Sequence, residues 1–206
     1  VKEEQTVLAY KSYPIDTSAF EQELILPETD IKKIVLSDPG AYALWKETNV
    51  SAQKQKGLYA AGIRVPLGNF DSSKARSLAD LALHYAGNEL RLTLRQNIQL
   101  RHLKEELLPF IYQELKALGL AGPGYNSTRD ITACPGTDTC NLGIASSTGI
   151  ARELERVLES EFPQYAANKA LTIKISGCMN ACGQHSMAQI GFQGMSVKSG
   201  KLVAPA

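Results

Sequence analysis

The sequence predicts an α+β fold, and three observations lead to it. Between Gly57 and Gly119, short apolar or alternating segments and helix-period segments follow one another in the order β-α-β-β-α. These segments are punctuated by Gly and Pro, the residues that favour chain reversal. Finally, a chain of 206 residues with 44% hydrophobic and 21% charged content can bury a core in one or two small domains.

Taken in order, residues 1–45 carry a weak signal. An apolar Leu24-Ile25-Leu26-Pro27 precedes an amphipathic stretch in which Ile31, Ile34, Val35, Leu44 and Trp45 can cover a core face. Residues 46–57 are polar without an apolar period and read as a linker into a new domain. Leu58 then begins a strand that Pro66 and Gly68 end. Asp71 or Ser72 caps a helix that stops at Gly87, with Ala75, Leu78, Ala79, Ala82 and Leu83 at helical spacing. Residues 89–95 alternate strictly and 97–103 follow at once, predicting two strands with a tight connection. A second helix over 104–119 carries Leu107, Leu108, Ile111, Leu115 and Leu118 on one side. The expected arrangement is helices on one face of a mixed sheet.

The rest of the chain predicts a second α+β unit. A strand over 130–133 runs into a cysteine turn, and a long helix follows to about Phe162 with Ile150, Leu154, Val157, Leu158 and Phe162 inward. A strand over 171–176 leads into a second cysteine turn, and 189–206 reads as a hairpin turned at Ser199-Gly200. The expected division is a preceding tail and linker over 1–56, one domain over 57–122 and another over 123–206. A first residue of Val and an end inside apolar KLVAPA read as a piece excised from a longer protein.

Net charge is +1, which supports neither nucleic acid nor a membrane surface as partner. With no run of eighteen apolar residues and no signal-peptide pattern at its start, the chain is expected to be soluble and cytoplasmic. In that reducing setting, the four cysteines of the last third favour metal ligation over disulfides.

Cys134 and Cys140 form a C-x5-C pair, Cys178 and Cys182 a C-x3-C pair, and each pair starts where a strand ends. Gly136, Gly177 and Gly183 let backbone N–H groups approach cluster sulfurs closely. Zinc sites prefer two to four intervening residues, so the five between Cys134 and Cys140 suit zinc poorly. Buried structural thiols are the bland alternative. Spacing alone therefore says metal or cluster.

The ordered segments QKQKGLYAAGIRVPLG, ELRLTLRQNIQL, ACPGTDTC, SGCMNACGQH and QIGFQG, spanning 53–194, resemble the siroheme-dependent sulfite and nitrite reductases, specifically their second half. The resemblance implies a ferredoxin-like βαββα module followed by a 4Fe-4S domain. It implies that Cys134, Cys140, Cys178 and Cys182 bind a [4Fe-4S] cluster, with Cys182 also bridging to siroheme. Electrons from ferredoxin or a reduced nicotinamide or flavin system would then drive six-electron reduction of sulfite or nitrite to sulfide or ammonia. Implied alternatives are a precorrin-modifying enzyme of corrinoid biosynthesis and a non-catalytic electron-transfer module. Siroheme carboxylates need cations or donors, for which Arg64, Arg95, Asn97 and Arg129 are candidates, with Arg91 and Arg101 expected to face solvent. Most such contacts, and the substrate-binding basic residues, belong to the family's first half, which would be the missing partner, so the piece alone is expected to be inactive. Met179 departs from the family's usual Pro. His185 reads as a structural residue or a proton donor, and His84 and His102 receive no role.

Overall fold

A computed structural model describes residues 34–200 and 202–206. The readings made on Leu24–Pro27 and Ile31 lie outside the described residues. Helix α1 (Pro39–Asn49) starts at Asp38, whose carboxylate accepts from Ala41 N at 2.9 Å. Its inward stripe is Ala41, Tyr42, Trp45, Thr48 and Asn49, so Leu44 falls outside the stripe and is exposed, as is Val35. Trp45 is fully buried, 5.3 Å from the Tyr112 ring.

The expected linker is instead structured. Helix α1 runs to Asn49, and β1 (Val50–Ala52) is an edge strand on β2 (Leu58–Ile63). The apolar period is missing because β1 is short and half-exposed, and because Thr48 and Asn49 turn polar groups inward. Asn49 Nδ2 donates to Gly62 O at 3.0 Å and to Gly122 O at 2.9 Å.

Strands β3 (Leu90–Leu92) and β4 (Ile98–Lys104) complete a sheet of order β1-β2-β4-β3. The sheet is antiparallel throughout rather than mixed. Helix α2 (Ser72–Tyr85) is capped by Asp71, which accepts from Ser73 N at 2.8 Å. Its buried stripe is Leu78, Leu81 and Ala82, while the predicted Ala79 and Leu83 are exposed. The run LADLAL is apolar on so many positions that spacing alone admits either rotation. Helix α3 (Leu108–Ala117) buries Leu108, Ile111, Tyr112 and Leu115, close to expectation. A bulge interrupts the β2–β4 register, with His102 at φ 60. The His102 N–H donates to Gln53 Oε1 at 2.6 Å, so a residue of the supposed linker satisfies the bulge.

The second module is a three-stranded parallel sheet, β5 (Thr132–Ala133), β6 (Ile173–Ser176) and β7 (Ile190–Gln193). Ala133, Ile173, Ile175 and Phe192 pack on Ala151, Leu154 and Leu158 of helix α4 (Ser147–Ser160). The strand pleat then turns Thr132, Lys174 and Ser176 to the other face. Helix α4 begins later than expected because 141–146 folds back over Gly136, and Ile150 and Phe162 are exposed. Residues from Ile190 onward were expected to open the hairpin but pair in parallel with β6. The hairpin itself is β8 (Ser196–Ser199) with β9 (Leu202–Pro205), and Gly200 sits at φ 61 between them.

A polar seam joins the modules. Asn97, 1% exposed, accepts from Val65 N at 2.8 Å and donates to Asp130 Oδ2 at 2.6 Å. The Tyr125 ring lies so close over Gly62 that any side chain there would collide with it.

Candidate metal centre

Parallel strands place the loops after their C-terminal ends side by side, which is where open α/β sheets gather ligands. Both cysteine pairs use this. Cys134 directly follows β5, and Cys178 lies just beyond β6. Gly177 sews the two loops together. Its N–H donates to Cys134 Sγ at 3.1 Å, and its carbonyl accepts from Ile144 N at 2.9 Å and Ala145 N at 3.0 Å. Cys134 N donates to Ile175 O at 3.1 Å, and Gly183 N donates to Ser176 Oγ at 3.1 Å. A Cβ on Gly177 would stand 2.7 Å from Ala145 O, and one on Gly143 would stand 2.7 Å from Gly136 C. Glycine is therefore required here by contact rather than by flexibility.

Cys178 is buried, Cys134 half-buried, and Cys140 and Cys182 exposed, all as free thiols. Burial pushes the Cys134 thiol up, but the Ser147 hydroxyl and the Gly177 and Gly136 N–H groups outweigh that and hold it below its ordinary value. Gly177 is the firmest of these donors, because the Ser147 hydroxyl divides its one proton between Cys134 Sγ at 3.5 Å and Cys134 O at 2.6 Å. Among the described residues, no three His, Cys, Asp or Glu side chains already surround one metal position. What the fold supplies is the pairing of the loops. Their thiol-only donor set, backbone N–H on sulfur and side-chain-free contacts fit an iron–sulfur cluster.

The other candidates divide. Arg64 Nη1 donates to Arg129 O at 3.0 Å and stands 4.0 Å from Glu155. Arg129 pairs with Glu159, and Asn97 is committed to Val65 and Asp130. These three side chains have protein partners in or beside the seam. Arg95 Nη1 is buried without a hydrogen-bond partner, as are His185 Nδ1 and, despite its pairing with Glu159, Arg129 Nε. Arg91 is exposed as expected, but the Arg101 side chain is only 15% exposed and donates to Glu89 at 3.2 Å. His84 is exposed, its Nδ1 2.7 Å from Asp80 O. Met179 is exposed on the second loop.

The Arg95-Gln96-Asn97 turn, for which the family resemblance leaves a ligand, interdomain or surface role open, bridges the modules through Gln96, whereas Lys174 escapes the sequence reading of the site. Gln96, at φ 65 in the turn between β3 and β4, hydrogen-bonds the backbone of Ala133 immediately before the first cysteine. Lys174 is buried in β6, with Nζ 2.5 Å from Gln184 Oε1. The available signal is a lysine between two isoleucines of a predicted strand.

An antiparallel sheet-and-helix module hydrogen-bonded to a parallel module with paired cysteine loops is the build of an iron–sulfur domain pair. The chain belongs to the nitrite and sulfite reductase family: residues 51–118 match its ferredoxin-like half domain and 124–204 its 4Fe-4S domain. It is similar to the ferredoxin–nitrite reductase of Synechococcus elongatus, 32% identical over 155 residues, covering 75% of this chain and 30% of that protein. A sulfite reductase [ferredoxin] of Mycobacterium tuberculosis is 31% identical over 157 residues, covering 74% of this chain and 28% of that protein. The solved structure of the Mycobacterium tuberculosis NirA protein superposes with a TM-score of 0.61 at 28% identity, covering 77% of this chain and 29% of that one. The chain thus spans under a third of the length of these relatives. Among the described residues, no helix is long and apolar enough to cross a membrane.

Proposed function

We propose that this chain is the cluster-bearing part of a siroheme-dependent sulfite or nitrite reductase, with Cys134, Cys140, Cys178 and Cys182 as the thiolate ligands of a [4Fe-4S] cluster. The observation that carries this reading is the Gly177 bridge, which holds the C-x5-C and C-x3-C loops side by side and puts an N–H on Cys134 Sγ. When bound, the cluster and siroheme supply the electron relay and the iron at which an oxyanion is reduced. The chain's own residues hold and orient. Cys140 and Cys182 are both exposed at the loop surface, and of the two the family resemblance makes Cys182 the thiol shared with a second cofactor. Arg95 Nη1 and Arg129 Nε are guanidinium donors without a hydrogen-bond partner, and both suit a siroheme carboxylate. Arg64, Asn97 and Arg129 fix the seam from which Arg95 projects. Substrate-binding cations and the remaining siroheme contacts belong to a companion first half of the polypeptide, and the names of the relatives support ferredoxin as electron donor. A cytoplasmic setting keeps four free thiols reduced.

Anaerobic reconstitution of the chain with iron and sulfide tests the ligand set. The expected product holds about four irons and four sulfides per chain, and each single Cys→Ser change at the four positions lowers both. Four serine variants with undiminished iron and sulfide would overturn it.

A further inference from the structure

Lys174 stands where a strand has no packing reason to hold a charge. It lies in the middle strand of the parallel sheet, 8% exposed, paired with Thr132 on one side and Gly191 on the other. The loop that carries Cys182 folds onto this face. Gly183 N donates to Ser176 Oγ, and a side chain on Gly191 would overlap the His185 carbonyl oxygen. Lys174 Nζ reaches Gln184 Oε1 at 2.5 Å, two residues beyond Cys182, and Gln184 itself is held at φ 59. No described carboxylate lies within ion-pair distance of this ammonium. Its charged neighbour is Arg95, another cation, so burial first and Arg95 second lower its affinity for a proton. A buried ammonium with a second cation as its charged neighbour and no acid of its own calls for an anion from elsewhere. A set of four thiolates around iron is anionic and becomes more so on reduction.

We propose that Lys174 is a positioning residue of the cysteine site: through Gln184 it holds the loop bearing Cys182, and its ammonium is the buried countercharge to the thiolate set. This rests on the ligand reading above. A fixed cation favours the more negative, reduced state. Its removal therefore makes the cluster harder to reduce.

The test is a redox titration, followed by electron paramagnetic resonance, of the anaerobically reconstituted chain and its variants. Lys174→Met and Lys174→Gln are expected to lower the reduction equilibrium constant at least tenfold, about 59 mV for one electron. Lys174→Arg is expected to stay near the unsubstituted chain. Gln184→Gly keeps the charge and tolerates the positive φ, so it should move the potential less but release iron to a chelator faster. Either neutral variant suffices if the other fails to fold. Neutral variants at the original potential, or an Arg variant shifted as far as they are, would overturn the proposal while leaving the ligand set standing. An unsubstituted chain that assembles no cluster would overturn both.

Discussion

The side-chain amide of Gln96 pairs with the backbone of Ala133 in both directions, donating to its carbonyl at 2.8 Å and accepting from its N–H at 3.2 Å. A turn of the first module thereby acts as an extra strand residue beside β5 and fixes the position of Cys134, the next residue. Ala133 is almost fully buried, so removal of the amide strands a donor and an acceptor away from water. Gln96→Ala is expected to cost about 2–3 kcal/mol in urea unfolding. Gln96→Asn tolerates the positive φ but cannot reach, and is expected to cost nearly as much; an Asn variant at wild-type stability would show that the turn, not the amide, matters.

Asp130 gives the seam a pH dependence of calculable sign. Burial raises its carboxyl above the ordinary value of 3.8, and the hydrogen bonds from Asn126 N and Asn97 Nδ2 with the charges of Arg64 and Arg95 only partly offset this. The folded state therefore holds the proton more tightly than the unfolded one. Stability from this group is full below pH 3.8 and is lost as pH rises through the raised folded value. Asp130→Asn removes that loss. The urea midpoint of the variant relative to wild type should rise as pH increases from 3.8 through the raised folded value, and a flat or falling difference would refute the assignment.

Much of this arrangement is legible in the sequence, for reasons that particular residues make plain. The βαββα order and both cysteine turns come through because Gly, Pro and strand alternation act locally. The linker reading failed at Gln53 and Asn49, whose partners, His102 N and Gly62 O, are distant in sequence. Helix α2 was rotated because Leu81 and Leu83 are equivalent until a sheet covers one of them. Residue type alone marks Arg64, Asn97 and Arg129 as ligand-facing. The Glu155 and Asp130 partners of Arg64 and Asn97 appear only once the modules dock, and the Glu159 partner of Arg129 only once the second module folds.

Trp45 reports on the aromatic cluster where α1 meets α3. It is fully buried against Tyr42 and Tyr112, and its indole Nε1 lacks a hydrogen-bond partner. Trp45→Ala is expected to cost about 3–5 kcal/mol by circular-dichroism-monitored urea unfolding. Trp45→Phe keeps most of the ring contact and deletes the unpaired donor, so it should cost less than half as much. Equal losses would mean that the indole is hydrogen-bonded in solution.

Gly177 is the position at which fold and site can be separated. Its N–H and carbonyl tie the two cysteine loops, and a Cβ would come 2.7 Å from Ala145 O and 2.9 Å from Gly136 Cα. The methyl group of alanine cannot be accommodated by a side-chain rotation, because the atoms it meets are backbone. Gly177→Ala must therefore push the Cys134–Cys140 loop away from the Cys178–Cys182 loop, while the sheet of the first module, far from the clash, stays intact. The expected result is a folded chain, with urea stability lowered by about 1–3 kcal/mol, whose iron content after reconstitution falls well below that of wild type. Gly122→Ala is the matched control: no atom lies within 4 Å of its added methyl, so stability should hold or rise by about 0.4–1 kcal/mol with iron content unchanged. Full iron loading of Gly177→Ala would show that the loops can bind without the bridge.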